Sequence, residues 1–172
     1  MFSVWVLAGL LGVPFVLAVL IYREILRLRN QTHKAWAHID VQLKRRYELI
    51  PHLIETAREH IHHEHEALNR VLAAHSDALA ANTVRERAEA ESAVKPALTH
   101  VLGLADEHPV LSCHEVMEKL KEELRRTEEK IHFAREYYNE IADTYNRKLQ
   151  SFPNNILVGL GALRPQELFE PA

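Results

Sequence analysis

The sequence offers little support for disulfides, turn-rich β structure or a basic surface. It has one cysteine, Cys113, which excludes an internal disulfide framework and a zinc site made of cysteine alone. Five glycines and seven prolines in 172 residues are too few for a turn-rich β sandwich or barrel. The net charge of −3 gives no sign of a nucleic-acid-binding face, so we expect no nucleic-acid partner.

Histidine, by contrast, is abundant. The chain has 12 histidines, which titrate near neutral pH and bind metals, so a response to pH or to a metal has to be considered. The composition is 47% hydrophobic and 26% charged, which is typical of a globular chain and not of a disordered one. The length fits one domain.

Residues 1–22 carry no charge. As a helix they would reach roughly 33 Å, enough to cross a bilayer core. A cleaved signal peptide would need a basic start and a small-residue cleavage site, and the sequence has neither. A buried soluble helix is the other alternative, but the run is apolar on every face. Residues 1–22 are therefore predicted to be a transmembrane anchor in contact with lipid.

The charges that follow the apolar run set the expected orientation. Arg23, Arg27, Arg29 and Lys34 follow it, with Glu24 as the acid among them. Positive charge stays on the cytoplasmic side of a membrane. We therefore expect a single-pass protein of the inner (plasma) membrane with its N-terminus outside. Residues 23–172 would form one cytoplasmic domain.

Helical periodicity dominates that domain, and no stretch alternates convincingly with period two. One apolar stripe predicts a helix from the membrane to about residue 80. A kink is expected near Pro51, because proline removes a backbone donor. Thr83 and Glu86 have the spacing of a capping box and predict a second helix over residues 83–105.

Pro96 is expected to interrupt this second helix, so that its start would lie later. A third helix of about 40 residues should follow a cap at Ser112 and stop at Pro153. Residues 156–163 are too few to span a membrane and predict a short fourth helix. The fold class is therefore all-α: an elongated antiparallel bundle of three long helices and a short C-terminal helix, with one N-terminal transmembrane helix.

Two long segments of the sequence resemble the LemA family. They read AWAHIDVQLKRRYELIPHLIETAREHIHHE at residues 35–64 and EEKIHFAREYYNEIADTYNRKLQSFPNNILVGLGAL at residues 128–163. The residues that match the family pattern are Trp36, Ile39, Asp40, Val41, Gln42, Leu43, Lys44, Arg45, Arg46, Leu49, Ile50, Pro51, Leu53, Glu55, Thr56, His63, Glu64, Glu129, Ile131, Ala134, Arg135, Tyr138, Asn139, Tyr145, Asn146, Phe152, Pro153 and Asn155. The sequence departs from the pattern at Glu48 (usually Asp), His52 (usually Asn), and Ala162 and Leu168 (often aromatic).

The resemblance implies a membrane-anchored helical bundle with a small outside N-terminus and no established catalytic activity. Some family members are tied to membrane proteolysis and stress, and a relative takes part in magnetosome membrane formation.

A histidine-rich stretch is the candidate metal site. His60 and Glu64 are neighbours on a helix, as are Glu59 and His63, and each pair could supply two ligands to zinc, nickel or copper. The pairs point to different faces, so further ligands would have to come from another helix or subunit. We favour a solvated helix face and keep His60, His63 and Glu64 as the metal candidates.

No catalytic site or cofactor is predicted. His114 and Glu115 begin a zinc-protease pattern, but Glu118 stands where the second histidine is needed. Gly159 and Gly161 lack the third glycine and the strand of a nucleotide loop. The sequence thus predicts a protein that is not an enzyme and needs no cofactor.

The basic block at residues 44–46 has two interpretations. It could pair inside the bundle with acids such as Glu128 or Glu136, or it could dock a partner. Asp40 and Asn139 could likewise fix helix register or form a recognition patch. The candidate partner-binding residues are Asp40, Arg45, Arg46, Glu55, Tyr138 and Asn139.

The leading hypothesis for function is a membrane-anchored adaptor or scaffold. Its partner would be a membrane or peripheral protein, and a homo-oligomer remains open. The alternatives are a metal- or pH-responsive sensor that uses the histidine-rich stretch, and a self-assembling protein that shapes membranes.

Overall fold

Four helices make up the secondary structure of the described residues. The structure, a computed structural model, describes residues 2–58, 65–108, 115–155 and 163–170, without the side chains of residues 2–11 and 13–15. The helices are α1 (Phe2–Arg58), α2 (His65–Ala80), α3 (Val84–Glu107) and α4 (Glu115–Gln150). The described residues contain no strand. The prediction of an all-α fold with antiparallel packing is confirmed.

Helices α1 and α4 run antiparallel along each other. Lys148 Nζ lies 2.6 Å from Glu24 Oε1, and Arg46 Nη1 lies 2.9 Å from Glu128 Oε2 further along the pair. Helix α2 packs against both α3 and α1. Each helix turns its apolar stripe inward, so one core cluster draws side chains from all four helices and ends at Phe169.

Three prolines, Pro14, Pro51 and Pro96, lie within helices. Helix α1 runs through Pro51, and α3 runs through Pro96 from its start at Val84. The prediction that Pro96 interrupts the second helix is therefore wrong. A proline costs one backbone hydrogen bond, and this loss is offset by core burial on both sides of Pro96, where Val94 and Leu98 are buried.

The N-terminus of α3 confirms the predicted capping box. The backbone amide of Glu86 donates to Thr83 Oγ1 at 3.1 Å, and the Thr83 amide donates to Glu86 Oε2 at 3.2 Å. The two residues thereby satisfy amides that the first turn of a helix leaves without partners.

Replacing Thr83 with alanine should therefore destabilise the protein by about 1 kcal/mol, measured by chemical denaturation. Thr99→Ala is the matched control, since Thr99 is exposed in the middle of the same helix and its hydroxyl donates back to the Lys95 carbonyl. Alanine is the better helix former there, so this change should be neutral or stabilising. A loss of equal size in both variants would contradict the capping role.

Some predicted elements fall wholly or partly outside the described residues. The predicted helix to residue 80 is described as α1 and α2, with residues 59–64 outside. The predicted short helix over 156–163 also lies outside, except for Leu163, which begins a segment without helix or strand that continues through residue 170. Among the described residues, no helix is apolar over a stretch long enough to cross a membrane. Much of the predicted anchor at 1–22 lies among the undescribed side chains.

Candidate functional site

A buried arginine joins three helices. Arg46 of α1 is 2% exposed, and its Nη1 donates to Glu128 Oε2 on α4 at 2.9 Å. Its guanidinium also pairs with Glu91 of α3, which is 4% exposed and accepts a hydrogen bond from the Tyr47 hydroxyl. These residues, with Lys95, are termed the Arg46 cluster.

Glu128 is shared between two cations of this cluster. Lys95 Nζ lies 2.8 Å from its Oε1, on the side away from Arg46. Burial acts to raise the pKa of Glu128, but the hydrogen bonds and charges of Lys95 and Arg46 outweigh it and hold the pKa below its ordinary 4.5. The carboxylate is therefore ionised at neutral pH and poorly suited to act as a general base.

This lowered pKa predicts how stability changes with pH. The ionised form of Glu128 stabilises the folded state above pH 4.5, and that contribution is lost as the pH falls through the lowered pKa. Glu128→Gln should be less stable than the wild type at neutral pH, and the difference should shrink in acid. Denaturant titrations of both proteins across this range measure the difference. Parallel stability curves would contradict the prediction.

The Arg46 cluster is a structural ion network by its chemistry. Glu91 and Glu128 are both neutralised by Arg46. Ser92 lies in the surface depression beside them, and its hydroxyl donates to the Glu89 backbone carbonyl at 2.6 Å. No group of three potential metal ligands occurs among the described residues.

Residues 163–170, which form neither helix nor strand, lie along α4 and are termed the tail segment. Two asparagines of α4 each hold both backbone groups of one tail residue. Asn139 Oδ1 accepts from the Phe169 amide at 2.8 Å, and its Nδ2 donates to the Phe169 carbonyl at 3.1 Å. Asn146 holds Gln166 in the same way, with both distances at 2.8 Å. The asparagines thus replace the strand that an extended segment would otherwise pair with.

Two tyrosines extend this pattern. The Tyr138 hydroxyl donates to the Glu167 carbonyl at 2.6 Å, and the Tyr145 hydroxyl donates to the Arg164 carbonyl at 3.1 Å. Burial, together with the charge of Glu167, raises the pKa of Tyr138 to about 12, so its hydroxyl remains a donor at physiological pH. A Tyr-Asn pair therefore occurs twice on α4, seven residues apart. The groove that these four side chains line is termed the Tyr-Asn groove.

Two apolar side chains anchor the ends of the tail segment. Phe169 is 1% exposed, and its ring centroid lies 5.5 Å from that of Trp36. Leu163 is 3% exposed and joins a second small core cluster with Ile25 and Tyr145. The tail segment is therefore an integral part of the folded bundle.

The six candidate partner-binding residues do not share one surface. Tyr138 and Asn139 bind the tail segment, and Arg46 is buried against Glu128, as the bundle-pairing interpretation expected. Glu55 is exposed on α1.

The last two of the six lie on the same helix. Asp40 pairs with Lys44 at 2.7 Å and with Arg87 of α3, which ties two helices together. Arg45 is half exposed, 3.7 Å from Glu123. The metal candidates His60, His63 and Glu64 lie outside the described residues.

An exposed aromatic pair on α4 was not anticipated. Phe133 and Tyr137 are 67% and 53% exposed, and their spacing of four places them side by side on one helix face. Val41 of α1 is 59% exposed. It lies at about the same level along the antiparallel helix pair, because Trp36 packs on Tyr138 on one side of this level and Arg46 bonds to Glu128 on the other. The signal in the sequence was weak, because neither aromatic fits the core periodicity of its helix.

Comparison with known proteins identifies a family. The LemA family model matches residues 35–172, a range that covers both the Arg46 cluster and the Tyr-Asn groove. No curated protein matches the chain significantly.

Proposed function

Because this chain belongs to the LemA family, we propose that it acts as a membrane-anchored helical adaptor without catalytic activity of its own. The observation that carries the proposal is the exposed Phe133 and Tyr137 pair on a rigid helix. Large apolar side chains in a contiguous exposed group are a common mark of protein-binding surfaces. The polar groups of the Arg46 cluster and the Tyr-Asn groove form contacts within the protein, which favours a scaffold over an enzyme.

The anchor in this proposal is residues 1–22, with the N-terminus outside and the bundle in the cytoplasm. In support, the aliphatic side chains of Val16, Leu17, Val19 and Leu20 are 42–55% exposed in α1, an arrangement that suits lipid better than water. Helix α1 continues without interruption from this segment into the core. The anchor would thus be joined to the bundle by a stiff helix.

The partner we propose is a membrane or peripheral protein that meets the α4 face carrying Phe133 and Tyr137. Aromatic side chains bury large apolar areas at interfaces and often dominate the binding energy. Machinery of membrane proteolysis or of a stress response is the class of partner that the family resemblance suggests.

Site-specific photo-crosslinking in living cells tests this function. A photoreactive residue is placed at Tyr137, and the matched control carries it at Lys119, which is also exposed on α4. The expected result is one dominant protein adduct from position 137 and none from position 119. Adding Phe133→Ser should remove the adduct without changing the melting temperature, because Phe133 is exposed.

Two outcomes would overturn the adaptor proposal. Equal labelling from positions 137 and 119 would mean that the aromatic pair marks no specific surface. Adducts with the same chain alone would favour the alternative, a self-assembling protein. For the anchor, extraction of cell membranes at alkaline pH should leave the full-length chain in the membrane fraction, and its release would count against an integral helix.

A further inference from the structure

The bundle recognises the tail segment through its backbone. Six hydrogen bonds join main-chain atoms of the tail to the side chains of Tyr138, Asn139, Tyr145 and Asn146, which donate four of them and accept two. Most tail side chains between the two apolar anchors point to solvent. The Tyr-Asn groove therefore has the properties of a peptide-binding site, with its own C-terminal segment as the ligand.

The spacing of the two asparagines in the groove matches the spacing of residues in an extended chain. Asn139 and Asn146 are seven residues apart, which is about 10.5 Å along a helix. They hold Phe169 and Gln166, three residues apart, which is about 10 Å in an extended chain. The two repeats agree, so the groove selects extended backbone. The ligand it takes has apolar anchors six residues apart, at the positions of Leu163 and Phe169.

Charge adds a preference between these anchors. Arg85 lies close enough to Glu167 for their charges to interact, and Arg135 lines the same surface depression as Glu170. A partly acidic extended segment therefore complements the rim of the groove.

Leaving the groove empty would destabilise the folded protein. Phe169 and Leu163 belong to two different core clusters, so a tail that left would expose apolar surface at both ends of the groove. Residues 163–170 of a second copy have the apolar anchors, the backbone spacing and the charge that this groove accepts. Its contacts in another copy's groove would be the same as those it makes in its own, so exchange between copies changes no contact energy and is a low-cost route to a dimer.

We propose that the Tyr-Asn groove is an exchangeable peptide site, and that it takes residues 163–170 of a second copy of this chain. The tail segment belongs to none of the four helices, and its hydrogen bonds in the groove are made with side chains of α4 alone. Exchange would then leave the four helices of each copy in place. The proposal does not depend on Phe133, Tyr137 or their partner.

Disulfide trapping between two tagged copies tests the exchange. Both full-length copies carry Cys113→Ser, so that introduced thiols are the only ones. One copy carries Arg135→Cys and the other Glu170→Cys, and both are expressed in the same cells. Because the cytoplasm keeps thiols reduced, the opened cells are treated with a mild oxidant, copper phenanthroline, which accepts the two electrons released when the thiols join. We expect a mixed disulfide that joins the two tags. It should fall at least about tenfold when Phe169→Ser is added to the Glu170→Cys copy, because the tail then loses its aromatic anchor.

A single chain with both cysteines is the geometric control and should close a disulfide within itself. If this chain closes but no mixed disulfide forms, the tail stays in its own groove and the proposal is wrong. If neither forms, the groove does not hold the tail as proposed. A mixed disulfide that persists with Phe169→Ser would reflect collision and would equally overturn the exchange.

Discussion

Replacing Arg46 with methionine should lower the free energy of unfolding by about 3–5 kcal/mol. Methionine has an unbranched, flexible side chain and favours a helix, so the loss of stability mainly reports the removal of the charge. Without the guanidinium, Glu91 would be a buried carboxylate at 4% exposure with no cation beside it, and Glu128 would keep Lys95 as its cation. Chemical denaturation of the full-length protein measures the change.

Arg45→Met is the matched control, because it makes the same change at the adjacent residue. Arg45 is half exposed and pairs loosely with Glu123 at 3.7 Å, so its loss should stay within about 0.5 kcal/mol. Adding Glu91→Gln to Arg46→Met should recover part of the stability, because the uncompensated charge is then gone. Similar losses at positions 45 and 46, or no recovery, would contradict the importance of the buried pair.

Replacing Phe169 with alanine should cost about 3 kcal/mol of the free energy that holds the tail segment on α4. The ring is 1% exposed and packs on Trp36, and its removal leaves a cavity in the main core. Because residues 163–170 belong to none of the four helices, the tail can detach without unfolding them. The amides of residues 166 and 169 are hydrogen-bonded to Asn146 and Asn139, respectively. Their hydrogen-exchange rates should therefore increase the most.

Leu168→Ala is the control for this prediction. Leu168 is the neighbouring residue but is 36% exposed, so its truncation should leave exchange in the tail nearly unchanged. Faster exchange of equal size in both variants would mean that the tail is held by general apolar contact. Slow exchange in Phe169→Ala would mean that the asparagine clamps hold the tail without the aromatic anchor.

Periodicity and capping carried most of the fold prediction. The apolar residues of α4 recur at three- and four-residue steps, and Met117, Leu124 and Tyr138 are all buried as that pattern requires. Thr83 and Glu86 form the capping box that their spacing indicates. These signals are local, so a sequence contains them in full.

Long-range polar pairing was harder to predict. The sequence indicates Glu128 as a partner for the basic block, and Arg46 does bond to it, but nothing in the sequence points to Glu91, the buried acid that also pairs with Arg46. Which acid a buried arginine meets depends on how two helices are set against each other. Arg46 and Glu91 are 45 residues apart, so no local sequence pattern indicates that they pair.

The role of Tyr138 and Asn139 was missed for a related reason. The sequence marks both as candidates for contact with a partner, with helix register as the alternative for Asn139, whereas in the structure each bonds to the tail segment. The repeat of a Tyr-Asn pair after seven residues is visible in the sequence. The function of this repeat depends on the tail segment, which has neither helical nor strand periodicity. The sequence alone therefore does not show which tail residue each Tyr-Asn pair contacts.

The length of α1 has a mechanical consequence. Its 57 residues make a rod of about 85 Å, of which the part beyond the proposed anchor is more than half. A tilt of about 20°, ordinary for a membrane helix, would move the far end sideways by roughly 20 Å. Since a membrane helix can change its tilt with the thickness of the bilayer, the lipid composition would change how far the bundle, on the longer part of the rod, is displaced along the membrane.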